Sequence, residues 1–145
     1  MEIRSLVKED YEASVIMIAE FAEESLSAYG TYLDLDKLRT VFESGFLTSF
    51  GAFVDGKMVG LLGGRIVEDL CSKLPVYQEM IWFVTKEHRS HGRELLAHAM
   101  AWCRDQKITR MTMVCMHNSR MDTLFKLYER LGFKPVETHF VKEIE

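Results

Sequence analysis

The apolar positions of this chain change period several times, and each change marks an element. Ile3, Leu6 and Val7 suggest a short opening strand ahead of Glu9 and Asp10. From Tyr11 the apolar residues Tyr11, Val15, Ile18, Ala19, Ala22 and Leu26 recur every three to four positions beside Glu12, Glu20, Glu23 and Glu24, predicting an amphipathic helix that ends near Tyr29-Gly30. Asp34 and Asp36 precede Leu38, Val41 and Phe42, one face of a shorter second helix that Ser44-Gly45 stops. Between the two, Ser27 to Leu33, with Tyr29 and Tyr32, reads as a connection, with a pocket lining as the lesser alternative.

Asp55-Gly56 between the apolar runs Phe50 to Val54 and Met58 to Val67 predicts a type I′ hairpin. Gly60, Gly63 and Gly64 in its second arm point to a bulge or a close backbone neighbour. After a loop over Glu68 to Pro75, Val76 to Val84 reads as a strand buried on both faces. A helix follows Gly92 and buries Leu96, Ala99, Met100 and Cys103; Ile108 to Met116 is the next strand. Asp122 opens a last helix with Leu124, Phe125, Tyr128 and Leu131 on one face and Gly132 as its C-cap, and Phe133 to Ile144 reads as a final strand. The order β-α-α-β-β-β-α-β-α-β predicts an α/β (α+β) fold, with a mixed central sheet of about six to seven strands and about four helices on its faces.

Composition narrows the possibilities. The 145 residues fit a single domain over 1-145, and 48% hydrophobic with 28% charged residues is ordinary for a globular chain. A net charge of -4 argues against non-specific nucleic-acid binding, which rests on clustered Lys and Arg, and no apolar stretch is long enough to cross a bilayer. A cytoplasmic location is the default expectation. Cys71, Cys103 and Cys115 are odd in number and lack CxxC spacing, so they read as reduced thiols.

The candidate chemistry centres on Val84 to Leu96, VTKEHRSHGRELL, where a strand feeds a helix through Arg89, Ser90, His91 and Gly92. The first amides of a helix lack internal partners and sit at the positive end of its dipole, so such a junction can hold an anion, with Arg89 adding charge. Gly92 sits where the chain bends sharply or lets another group approach. His91, Glu94 and His98 fall at helical spacing, but no catalytic metal motif surrounds them, and no metal is expected.

Val84 followed by Arg89-Ser-His-Gly92-Arg-Glu94 resembles motif A of the GNAT family of acyl-CoA-dependent N-acetyltransferases, with Glu94 standing where the pattern has a small residue. The opening IRSLVKED before a helix and the closing LYERLGFKPVE, similar to the family's recurrent LYEKLGF, extend the resemblance over almost the whole chain. The resemblance implies a GNAT fold with acetyl-CoA as co-substrate, lying where the strand at Trp82 to Val84 splays from the strand at Met111 to Met116. Trp82 and Val84 would hold pantetheine and thioester. Arg89, Ser90, His91, Gly92 and Arg93 would hold the pyrophosphate, and Asn118 would contact CoA. It further implies Tyr128 as the acid that protonates the CoA thiolate, and Glu79 as the base, often acting through water.

Each of these residues also has a plainer reading. Tyr128 suits a core position on an apolar helix face, and Asn118 suits a turn. Strand alternation sets Gln78, Met80, Trp82 and Val84 on one face and Glu79, Ile81 and Phe83 on the other, so Glu79 faces wrongly unless a bulge intervenes. His117 is a rival base. A carboxylate at Glu94 favours the helix dipole but repels a diphosphate.

The function the resemblance implies is transfer of an acetyl group from acetyl-CoA to a primary amine, directly within a ternary complex. Glu23, Glu24, Asp34, Asp69 and Glu79 suggest a cationic acceptor. The alternative is a non-catalytic GNAT-fold module binding acyl-CoA or a protein. A homodimer through edge-strand pairing is an open option.

Overall fold

The computed structural model describes residues 1–26 and 33–144 and divides into two compact units, Met1–Val114 and Cys115–Glu145. The expected helix end at Tyr29-Gly30 and the roles weighed for Tyr29 and Tyr32 lie outside the described residues.

In the first unit, β1 (Glu2–Ser5) leads through a 3-10 turn into α1 (Tyr11–Phe21). The junction is held by Asp10, which takes a two-pronged ion pair from Arg4 (2.7 and 2.9 Å) and the amide of Val7 (2.8 Å). Bonding to Arg4 keeps the Asp10 carboxyl below its usual range. A π-helical turn, Ala22–Leu26, continues α1. The second helix, α2 (Leu35–Glu43), starts where Asp34 accepts from the Lys37 amide at 3.0 Å, as the sequence predicts.

Next come β2 (Thr48–Val54) and β3 (Lys57–Glu68), joined at Asp55 and Gly56 with φ of 50° and 77°. Two successive positive φ values are the signature of the predicted type I′ turn. Then β4 (Pro75–Val84), α3 (Gly92–Asp105) and β5 (Arg110–Thr112) complete the unit. The sheet order is β1-β2-β3-β4-β5, antiparallel except for the parallel β4–β5 pair.

One face of the sheet packs Met17 of α1 against Phe53, Met58, Leu61 and Phe83, with Phe21 and Ile81 alongside. The other face carries Phe50, in ring contact with Tyr77 (6.3 Å) and with His98 and Trp102 of α3 (5.5 Å each). Leu96, Ala99 and Cys103 of α3 are buried as expected, Leu95 is buried with them, and Met100 is only partly so.

The second unit contains α4 (Met121–Arg130). It closes in a Schellman motif: Phe133 N donates to Tyr128 O (2.9 Å) and Gly132 N to Glu129 O (3.0 Å), with Gly132 at φ 85°. The Tyr128 and Phe133 rings, 5.5 Å apart, make the accompanying hydrophobic contact, so the LYERLGF stretch encodes a helix stop.

Three expectations need correction. Among the described residues the sheet has five strands, not six to seven. Phe133 to Ile144 forms no strand, and Val136, Phe140, Val141 and Ile144 are exposed, because an alternating pattern supplies a face and not the pairing edge a strand requires. The strand expected over Ile108 to Met116 is confined to Arg110–Thr112, since its ladder with β4 runs only from Val76 to Gln78. Among the described residues, no helix is long and apolar enough to cross a membrane.

Candidate active site

The ladder between β4 and β5 stops where a bulge enters β4. Gly63 pairs with Ile81 but Gly64 with Glu79, leaving Met80 as the extra residue. Glycine is required at 64 because a Cβ there would lie 2.5 Å from the carbonyl oxygen of Gln78 and 2.8 Å from the Tyr77 ring. The expected bulge and close neighbour are thus one feature.

That bulge corrects the pleat argument. Tyr77 packs toward α3 through Phe50, and Trp82 and Val84 face the start of α3, at 3.4 and 3.7 Å from an ideal Cβ on Gly92. Odd and even positions share a face only because the alternation resets at Met80, so Glu79 follows Tyr77 onto the side of Trp82 and Val84.

Glu79 is 6% exposed, and its Oε2 accepts the Val114 amide at 2.7 Å, just beyond the last ladder pair. Burial pushes its pKa from 4.5 up to about 7, the Val114 bond only partly opposing it. A carboxyl so placed can hold or release a proton near neutrality.

The turn after β4 is more regular than the sequence suggests. A 3-10 segment, Lys86–His91, runs directly into α3, and the Gly92 amide donates to Arg89 O rather than pointing outward. Gly92 is helical (φ -57°) and a Cβ there makes only ordinary contacts, so neither a sharp bend nor crowding explains it. Glu94 approaches His91 (Oε1 to Nδ1, 3.3 Å), while His98 is drawn off to Phe50. His91, Glu94 and His98 therefore do not converge, and no group of three His, Cys, Asp or Glu among the described residues is placed to hold a metal. Ser90 and Arg93 are exposed.

Arg89 pairs with the carboxylate of Glu24, from the π-helical turn, while its buried Nε has no acceptor among the described residues. This pairing was not legible in the sequence: the partners are 65 residues apart and Glu24 belongs to an ordinary acidic helix face. The orphaned guanidinium nitrogen at the positive end of α3 fits a site for an anion such as the CoA diphosphate.

Other acidic candidates have structural roles. Asp34 caps α2, and Asp69 accepts from the Cys71 and Ser72 amides (2.9 Å each) and pairs with Arg110 (3.1 Å). In the second unit, Asn118 Oδ1 accepts from the Arg120 amide at 3.0 Å, the turn role weighed for it, and His117 is exposed.

The model of the acetyltransferase (GNAT) family matches residues 3–133. The chain belongs to this family and is an N-acetyltransferase. A search of curated proteins finds no match. Among solved structures, the chain is similar to a ribosomal-protein-alanine N-acetyltransferase from Brucella melitensis biovar Abortus 2308 (17% identity, 99% of this chain and 100% of that one, TM-score 0.78). It is also similar to the aminoglycoside acetyltransferase meta-AAC0020 from an uncultured soil metagenomic sample, in complex with sisomicin (16%, 99% and 96%, 0.81). A third is aminoglycoside N-acetyltransferase AAC(6')-Iy, in complex with CoA (20%, 99% and 99%, 0.72). At such identities the likeness establishes the fold.

Proposed function

We propose that the chain works as one acetyltransferase domain moving an acetyl group from acetyl-CoA to a primary amine by direct transfer in a ternary complex, in a cytoplasmic setting without nucleic acid or membrane. The observation that carries this reading is Glu79, buried where the β4–β5 ladder ends, with its pKa pushed to about 7. The CoA structure of AAC(6')-Iy supports the co-substrate, and similar proteins named for aminoglycosides and a ribosomal-protein alanine support an amine acceptor.

In this reading acetyl-CoA supplies the thioester-bound acetyl group. Glu79 takes a proton from the acceptor ammonium, directly or through one water, and the amine nitrogen bonds to the acetyl carbon as the carbon–sulfur bond breaks. Tyr128, the acid the family resemblance assigns, gives its phenol proton to the departing thiolate and is reprotonated by the second proton the nitrogen sheds as the amide forms. Trp82 and Val84 line the pantetheine and Arg89 with Ser90, His91, Gly92 and Arg93 receives the diphosphate, while the family resemblance assigns Asn118 a contact to CoA. A homodimer is compatible with the reading and is not needed by it.

Calorimetric titration with acetyl-CoA, followed by a pH profile of amine acetylation, tests it. Activity should rise with pH through about 7 as Glu79 ionises, and Glu79→Gln should cost about a hundredfold or more in turnover. Failure of acetyl-CoA to bind, or a Glu79→Gln variant with an unchanged profile, refutes it.

A further inference from the structure

We infer that Glu24 is a positioning residue that competes with the cofactor's diphosphate for Arg89, so that loading acetyl-CoA moves the guanidinium from carboxylate to phosphate. The inference rests on the diphosphate reading of the turn given above.

Three observations carry it. The Arg89–Glu24 pair joins the turn at the start of α3 to the Ala22–Leu26 turn, which leaves the α-helical register by adopting π geometry, a departure common at functional positions. In this arrangement Arg89 uses one arm of its fork while Nε stays buried without an acceptor among the described residues. A guanidinium presents five donors in a planar fork suited to two oxygens at once, so a single carboxylate contact leaves it under-satisfied, and a diphosphate offers the missing acceptors.

Glu24 also has a second place to go. It lines a cleft of about 300 Å³ with the cationic Lys57 and Lys86 and the acidic Glu20 and Glu87, and the lysine ammonium groups are the partners open to the displaced carboxylate there. The two arrangements, Glu24 on Arg89 or Glu24 toward the lysines, form a bistable pair that an anion at the turn biases by its preference for one of them. Because Ala22–Leu26 extends α1, cofactor loading is thereby coupled to the helix that precedes α2.

The sign of the effect is specific. The pair is partly exposed, with side chains 28% and 41% accessible, so its removal is worth a modest factor. Glu24→Gln should tighten acetyl-CoA binding by about fivefold at moderate salt, less as salt rises. In an Arg89→Ala background the same change should do nothing. S-acetylpantetheine, which lacks the diphosphate, should bind wild type and Glu24→Gln alike, and Glu24→Ala should reproduce the gain.

Calorimetry on wild type, Glu24→Gln, Arg89→Ala and the double variant decides the matter, with melting temperatures taken alongside. A purely structural Glu24 would weaken binding when changed and lower the melting temperature. Wild-type binding with an unchanged or weaker Glu24→Gln, or a gain that persists without Arg89 or appears with S-acetylpantetheine, overturns the inference and leaves the diphosphate reading standing. Absence of acetyl-CoA binding by the wild type overturns both.

Discussion

Changing Glu79 to Gln removes an ionisable group whose burial makes folding stability depend on pH. In the folded chain the Glu79 carboxyl titrates near 7, against 4.5 when exposed. A raised carboxyl pKa means the folded state prefers the neutral form. The stability tied to that proton is fully present below pH 4.5 and is lost as pH rises through about 7. Each pH unit of separation corresponds to about 1.36 kcal/mol, so the full loss comes to about 3 kcal/mol. For a chain of this size that is about 6–12 °C in melting temperature.

Glutamine keeps an oxygen able to accept the Val114 amide and adds an NH2 whose burial cost does not vary with pH. Other groups titrate in both proteins and cancel in the difference. Thermal melts of wild type and Glu79→Gln from pH 4 to 8.5 should therefore diverge, wild type losing ground relative to the variant as pH rises and levelling above about 8. Parallel curves would refute the burial argument and with it the matching of this carboxyl to proton transfer near neutrality.

Three further outcomes follow from the same structure. Gly64→Ala should cost at least about 2 kcal/mol in denaturant titration, because the new methyl meets a backbone oxygen that cannot rotate away. Asp10→Ala should lower stability at pH 7 by at least the roughly 1 kcal/mol of its bond to the Val7 amide, since Arg4 also loses its two-pronged partner. The Asp10 carboxyl is held low, so its stabilisation is present above the unfolded carboxylate range and lost on acidification, and the two proteins should draw steadily together in melts as pH falls below about 4. Tyr128→Phe retains the ring against Phe133 and should lower turnover in an amine-acetylation assay about a hundredfold; unchanged turnover would refute the phenol as the acid.

The sequence by itself determined the elements whose causes are local. Asp34 capped α2, Asp55-Gly56 set the hairpin, and Gly132 stopped α4, because each places a side-chain acceptor or a positive φ where the neighbouring backbone requires it. The spacing of Arg89 and Gly92 and the LYERLGF stretch carried the family, which the match over residues 3–133 establishes.

What tertiary structure decided were the relations between distant segments. Gly63 and Gly64 announced an irregularity, but only pairing against β4 fixed it at Met80 and so chose the face on which Glu79 lies. The length of β5 depended on how far β4 stayed in register with it, and the segment after Phe133 found no ladder despite its alternation. Arg89 met Glu24 through the packing of α1 beside the turn after β4, a contact that no spacing along the chain encodes. The burial that moves Glu79 toward neutrality likewise comes from neighbours brought in by the fold, since a side chain's solvation is a property of everything around it and not of its place in the sequence.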